Sequence, residues 1–553
     1  MSASALTRAS RRPLPRRSVH AGVRAEWIVV LLTVLAAAIR FFYIGHQGFW
    51  FDEGNTALLV KRSPGGMLGL IPQTESTPPL YYMVAWVWVR IFGDTEAGLR
   101  SLSALVGVLT VPVAYAAAAK LVSGWRVAGA AGVAGGAGGA GGAGGAGGAG
   151  GAGAAALGRR AGVITAALTA CSPFLIWYSQ EARSYEMLVL FSALGLLTFA
   201  YARANPTPRA LAAWVVACAL SLLTHYFAAM LVVPEAAWLF WEHRRLRRVQ
   251  VAVVLGLACG AALIPLALSQ NSTGRDSWIA NSPFGLRLAQ IVPQLLIGTG
   301  APARTALKFA SFILALLALG WLIVPVRRFG ERRGAWLAGG LALAGFVISL
   351  LLVAAGSDFL ITRNIIILWL PAAIALAGAL AVAPGALRTV VVAGLCGIGL
   401  AAAIGVDANY NLQRPNWRPV AAALGPAPGP GQDRVLLIQH YRTLLPLSLY
   451  MPRLAFMRGA GVAAHHVTQF DVIAIRSPQQ PLCWWGAACN LIPSQMQPAY
   501  PVPGFHVAWR RQVEQFTILR MVANHPVTLS AAEISRVLRT TELRHDDLIV
   551  QRS

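Results

Sequence analysis

Eleven long apolar runs, separated by arginine-bearing or polar breaks, constrain this chain more than any other feature. They are Trp27–Ile44, Leu99–Leu121, Ala161–Tyr178, Met187–Tyr201, Ala210–Thr224, Phe227–Trp241, Val249–Leu268, Ala306–Val326, Ala335–Ala355, Ile365–Val382 and Thr389–Val406. A chain crossing lipid must satisfy its backbone polar groups internally, so such runs fold as helices. Composition agrees: 56% of the 553 residues are hydrophobic and 12% charged, against about 25% charged in soluble domains. The expected fold is therefore a polytopic α-helical membrane protein. The net charge of +25 does not argue for a nucleic-acid partner. It comes from arginine clusters such as Arg244-Arg245-Leu246-Arg247-Arg248 and Arg327-Arg328 between apolar runs, where the positive-inside rule places them.

Threading the runs by that rule puts residues 1–26 inside as a disordered basic tail. Residues 27–406 form the membrane domain, and 407–553 a soluble domain outside the plasma membrane. Within the membrane domain, 46–98 is the first outer loop. It ends in a short aromatic run, Leu80–Phe92, containing Tyr81, Tyr82, Trp86, Trp88 and Phe92. A straight span takes about 20 residues, so this run is expected to lie in the interface, where Trp and Tyr collect. Residues 124–158 are rich in Gly and Ala, and 135–151 repeat Gly-Gly-Ala. Lacking packing groups, the segment is expected to be a flexible cytoplasmic linker. In 407–553, Asn416–Val420 reads as the start of a short helix. Arg434–Gln439 and Asp471–Ile475 read as buried strands, giving a small α/β domain. Cys483 and Cys489 lie there at a spacing unlike a standard zinc site, and a disulfide is expected in an oxidising compartment. Asn271-Ser272-Thr273 is a glycosylation sequon by pattern only.

Ionisable residues sort by side. Asp52, Glu53, Glu181, Arg183, His225, Arg275, Asp358 and Arg363 fall at the outer ends of the runs, and span centres carry almost no charge. A proton-coupled transporter is expected to place carboxylates near the midplane. An enzyme acting on a lipid headgroup needs them at the surface. A polytopic lipid or sugar transporter remains the alternative reading.

Four stretches occur in order: Trp50-Phe51-Asp52-Glu53-Gly54, Thr77-Pro78-Pro79-Leu80-Tyr81-Tyr82, Leu99-Arg100-Ser101-Leu102-Ser103-Ala104, and Ser172-Pro173 through Tyr178-Ser179-Gln180-Glu181-Ala182-Arg183-Ser184-Tyr185. Together they resemble the protein O-mannosyltransferase-like glycosyltransferases of the GT-C superfamily, of the actinobacterial type, over residues 26–420. The resemblance implies transfer of a sugar, mannose-like or a pentose, from a polyprenyl-phosphate donor to an envelope hydroxyl on the outer face, with inversion. The acceptor would be protein, glycan or lipid. It marks Asp52 and Glu181 as catalytic and leaves open a divalent metal ion on that pair.

The chemistry fits these residue types. A lipid phosphate is a good leaving group, so one carboxylate to deprotonate the acceptor suffices. Asp52 is the expected base. Glu53 orients it, binds the acceptor or merely caps a helix. Arg183 and Arg363 are candidate phosphate ligands, since guanidinium binds phosphate bidentately, against a role as snorkelling surface cations. His225 is a weaker donor contact, against an ordinary interfacial histidine. The orientation is testable by cysteine labelling: a thiol at Asn271 should react from outside, and one at Gly142 only after permeabilisation. External labelling at Gly142 would reverse the placement of Leu80–Phe92.

Overall fold

The computed structural model describes residues 16–123, 146–323, 332–438, 444–457, 463–475, 502–538 and 548–552. Cys483, Cys489 and most of the Gly-Gly-Ala repeat lie outside these residues.

The helical part runs α1 (Arg16–Phe41), α2 (Phe51–Val60), α3 (Pro64–Thr74), α4 (Leu80–Phe92), α5 (Glu96–Ser123), α6 (Ala146–Cys171), α7 (Pro173–Ser179), α8 (Tyr185–Ala204), α9 (Pro208–Thr224) and α10 (Ala229–His243). It continues with α11 (Arg247–Ala262), α12 (Ile264–Asn271), α13 (Phe284–Ile297), α14 (Arg304–Ile323), α15 (Arg333–Ala354), α16 (Trp369–Ala381) and α17 (Gly385–Asp407). Each expected apolar run holds a helix. Among the described residues seven helices are long and apolar enough to cross a membrane, or eight if one bent pair counts as a span. The chain is a multi-pass membrane protein. Leu80–Phe92 is indeed a separate short helix of 13 residues.

Two expectations are corrected. Helix α6 starts at Ala146, inside the segment expected to be linker. Gly158 explains the extension: its absent Cβ would sit 2.5 Å from the Ala119 carbonyl oxygen, so small residues let α6 press closely on α5. The expectation of almost no charge at span centres meets an exception. Glu235 is buried within α10, where its Oε2 accepts the Trp214 indole N–H at 2.8 Å. Arg40 and Glu186 are fully buried within α1 and α8.

The bent pair is α6 and α7, which meet at 57°. Pro173 has no N–H to continue the helical ladder, and the Ser172 side chain accepts the Leu175 N–H to start a new helix. The bend turns the chain across the end of the bundle before it reaches Glu181.

A C-terminal sheet domain follows α17. It contains α18 (Trp417–Leu424), β1 (Asp433–Leu437), α19 (Leu444–Tyr450), β2 (Leu454–Phe456), β3 (Ala463–Ile475), β4 (His506–Val513), β5 (Phe516–Ser530), α20 (Ala531–Leu538) and β6 (Leu548–Gln551). The strand order is β2-β6-β1-β3-β5-β4, with β1 and β3 parallel and the other pairs antiparallel. Period-two alternation gives the sheet two apolar faces. Val435, Leu437, Phe470, Val472, Leu519 and Val550 pack on one side with Ile534 of α20. Leu436, Ile473, Ile518 and Ile549 pack on the other with Trp417, Val420 and Leu447 of α18 and α19. Both expected strands are present.

Helix contacts in the bundle depend on absent side chains. At Gly345 an added Cβ would lie 2.4 Å from the Met230 carbonyl oxygen. Gly345→Val should therefore force α15 off α10 and destabilise the protein by at least about 1–3 kcal/mol. Thermal unfolding of the purified variant should show a clear drop in midpoint, and an unchanged midpoint would refute this contact.

Candidate active site

A cavity of about 510 Å³ lies at one end of the bundle. Five separate stretches of the helical part meet there, each contributing at least one polar side chain: Asp52 and Glu75 from the first, then Arg183, His225, Arg275 and Arg363. Leu444, Leu445 and Phe456 of the sheet domain complete the wall.

Asp52 and Glu53 begin α2, and at about 100° per residue their side chains diverge. Asp52 faces the cavity, where its Oδ2 accepts Arg363 Nη1 at 3.1 Å. Glu53 faces the protein and is fully buried. Its Oε1 accepts Arg100 Nε at 2.7 Å and the Ala182 N–H at 2.9 Å, and its Oε2 accepts Arg100 Nη2 at 2.5 Å. Burial alone would raise its pKa. Arg100, Arg414 and the Ala182 N–H together more than offset this and hold the carboxyl below its ordinary value. Glu53 is thus a structural tie between the first loop, α5 and the Glu181 loop. It is not placed to take a proton from a ligand in the cavity.

Glu181 also departs from expectation. It is fully buried and does not line the cavity. Its Oε2 accepts Arg414 Nη2 at 2.8 Å, while Oε1 has no partner. Burial pushes its pKa up to about 6, against the opposing charge of Arg414. Its neighbour Arg183 does reach the cavity.

Arg183 reveals a residue that sequence reasoning passed over. Its Nη1 donates to Glu75 Oε2 at 2.8 Å. Glu75 is nearly inaccessible, and also accepts the Tyr82 hydroxyl at 2.5 Å and Asn55 Nδ2 at 2.6 Å. The clue was its position two residues before Thr77-Pro78-Pro79, which turns the chain back into α4. Arg183 and Arg363 each keep a buried Nε with no acceptor. Two guanidiniums on one cavity wall favour an anionic occupant. The Arg363 guanidinium also lies over Trp278, 5.6 Å from the ring centroid.

A metal held by Asp52 and Glu181 does not fit. Each carboxylate is bonded to a guanidinium, and only Asp52 reaches the cavity. No group of three or more His, Cys, Asp or Glu suited to a metal occurs among the described residues.

His225 lines the cavity and stacks on Phe227, ring centroids 4.7 Å apart. Its Nδ1 accepts the Phe227 N–H at 3.3 Å, leaving the proton of the neutral ring on Nε2. Burial, then Arg183 and Arg363, lower its pKa to about 3. It therefore supplies no positive charge at neutral pH. The unfolded chain binds this proton below about pH 6.5 and the folded protein does not. The stability His225 contributes is thus complete above that pH and is lost as pH falls toward the folded value, by up to about 1.4 kcal/mol per unit. Between pH 7.5 and 5.5 the wild type should lose more thermal stability than His225→Asn. Parallel pH slopes for the two proteins would refute the neutral, buried state.

Residues 153–268 match the family model described as Dolichyl-phosphate-mannose-protein mannosyltransferase. No curated protein sequence matches the chain. Similar solved structures include two of ArnT from Cupriavidus metallidurans. The one bound to undecaprenyl phosphate is 15% identical, covers 89% of this chain and 97% of that chain, and has a TM-score of 0.47. The apo state is 14% identical, with coverages of 90% and 98% and a TM-score of 0.49. The family match falls on the segment that carries Ser172–Tyr185, one of the four ordered motifs. Over residues 153–268 the chain is thus similar to that mannosyltransferase family.

Proposed function

We propose that this membrane glycosyltransferase moves a mannose-like or pentose sugar from a polyprenyl-phosphate donor to a hydroxyl of an envelope acceptor, with inversion. The reaction takes place at the outer face of the plasma membrane. The observation that carries this reading is the pairing in the cavity of one carboxylate, Asp52, with Arg363, beside a second guanidinium at Arg183. Both arginines hold an unpaired buried Nε donor.

In the reaction, the bond between the sugar C1 and the phosphate oxygen breaks, and its electron pair leaves on the phosphate. The acceptor oxygen forms the new bond to C1, and its proton passes to Asp52. The departing phosphate draws charge-assisted hydrogen bonds from Arg363 and Arg183. Before the donor binds, Arg363 is engaged with Asp52. A phosphate competing for Arg363 loosens that hold, so donor binding readies the base. Glu75 keeps Arg183 oriented through its bond to Nη1. Glu181, buried behind the wall with Arg414, supports the loop that carries Arg183.

The test is transfer by folded, membrane-inserted variants with a panel of radiolabelled polyprenyl-phosphate sugars. Asp52→Asn keeps size and hydrogen bonding but cannot take the proton. Turnover should fall about 100- to 10,000-fold while donor binding persists. Arg363→Ala should instead weaken donor binding by about 10- to 150-fold, the equivalent of a charged hydrogen bond of roughly 1.5–3 kcal/mol. Near-normal transfer by Asp52→Asn would remove it from the mechanism.

A further inference from the structure

We infer that Asn416, Arg418 and α19 (Leu444–Tyr450) are a working part of this site, and that Tyr450 is a positioning residue that helps set the heading of Asp52. The catalytic part of this inference rests on the reading above.

The chain enters α2 through residues 45–49. Their backbone is held from two sides. On the bundle side, Arg100 Nη1 donates to the carbonyls of Ile44 at 3.0 Å and Gln47 at 2.8 Å, and Nη2 to that of Gly48 at 3.1 Å. On the other side, every contact comes from the sheet domain or the segment leading into it. Asn416 Oδ1 accepts the Gly48 N–H at 2.8 Å. Arg418 donates to the carbonyls of Gly45 and His46. The Tyr450 hydroxyl accepts the Phe49 N–H at 2.7 Å and donates to Glu96 Oε1 at 2.7 Å.

Phe49 lies three residues before Asp52, so the direction of its amide sets the start of α2. The helix then passes under α19. At Gly54 an added Cβ would come 3.1 Å from the Pro446 backbone nitrogen. Leu444 and Leu445, at the other end of α19, line the cavity with Phe51 and Asp52. One seven-residue helix therefore both walls the cavity and, through Tyr450, holds the loop that aims the carboxylate. Tyr450 touches no reacting atom. Removing its hydroxyl leaves the Phe49 N–H without its acceptor and loosens the entry to α2 on the side that Arg100 does not hold. A misplacement of about 1 Å at a reacting group costs up to about a hundredfold in rate.

The experiment is Tyr450→Phe, which keeps the ring and deletes both hydrogen bonds. Two readouts are needed. In hydrogen exchange of the full-length protein in nanodiscs, the peptide spanning Phe49 should exchange about tenfold faster or more, with the peptide spanning α20 unchanged. In transfer assays with polyprenyl-phosphate sugars, kcat should fall about ten- to a hundredfold with donor KM within about twofold. Combined with Asp52→Asn, it should cause little further loss, because the two changes act on one function. Unchanged exchange at Phe49 overturns the coupling. Faster exchange with unchanged kcat overturns the positioning role. If the wild type transfers no sugar from any donor, the functional reading fails, and the exchange result still judges the coupling by itself. Should Tyr450→Phe fail to insert, Glu96→Gln weakens the other bond of the same hydroxyl and should shift both readouts in the same direction.

Discussion

The buried pair of Glu53 and Arg100 is the interaction on which the rest of the site depends. Neither side chain is more than 4% exposed. Such a pair is a poor source of stability, because desolvating two ions roughly cancels their attraction. Its value is geometric. Glu53 also accepts the Ala182 N–H, and Arg100 also donates to three carbonyls of the loop that enters α2. One ion pair thus fixes the first loop, the start of α5 and the loop after α7 relative to each other. Removing one partner would strand a charge at a cost of about 3–5 kcal/mol.

The same logic repeats around the cavity. Asp52 pairs with Arg363, Glu75 with Arg183, Glu181 with Arg414 and Asp358 with Arg287. Each pair joins stretches far apart in the chain, by as many as 311 residues for Asp52 and Arg363. What separates them is access. Glu53 and Glu181 are sealed from the cavity, so their arginines are spent. Asp52 and Arg363 are partly exposed to it, at 15% and 22% of their side chains. An anion entering the cavity can exchange with the second kind of pair and not with the first.

This division limits what the sequence could tell. The spans were legible because lipid imposes one solution on long apolar runs. Strand β1 and the end of β3 were legible because both faces of the sheet are apolar there, whereas the other strands were not read. Asp52 and Arg363 were singled out by type and by position at the ends of runs, and the fold does bring them together. The adjacent Asp52 and Glu53 read alike in one dimension. Only the phase of α2 separates a cavity residue from a structural one, and Trp50 precedes that helix without a side-chain cap hydrogen bond to set the phase. Arg414, lying 233 residues from Glu181, gave no local signal of its partner. Glu75 hid in a loop read only for its Thr-Pro-Pro. Glu235 hid inside an apolar run, where one hydrogen bond from Trp214 makes a carboxyl group tolerable.

The placement of the sheet domain follows from the same limits. Helix ends leave loops whose backbone groups need partners, and the loop that enters α2 needs support if the Asp52 carboxylate is to stay put. The bundle supplies Arg100 from one side only. A second support must therefore come from beyond the membrane domain. Asn416, Arg418 and Tyr450 provide it, all within a short stretch after α17. The sheet, with apolar residues on both faces, gives α18 and α19 a firm base. The rigidity of the sheet domain is thereby delivered to Asp52 without closing the cavity that its carboxylate faces.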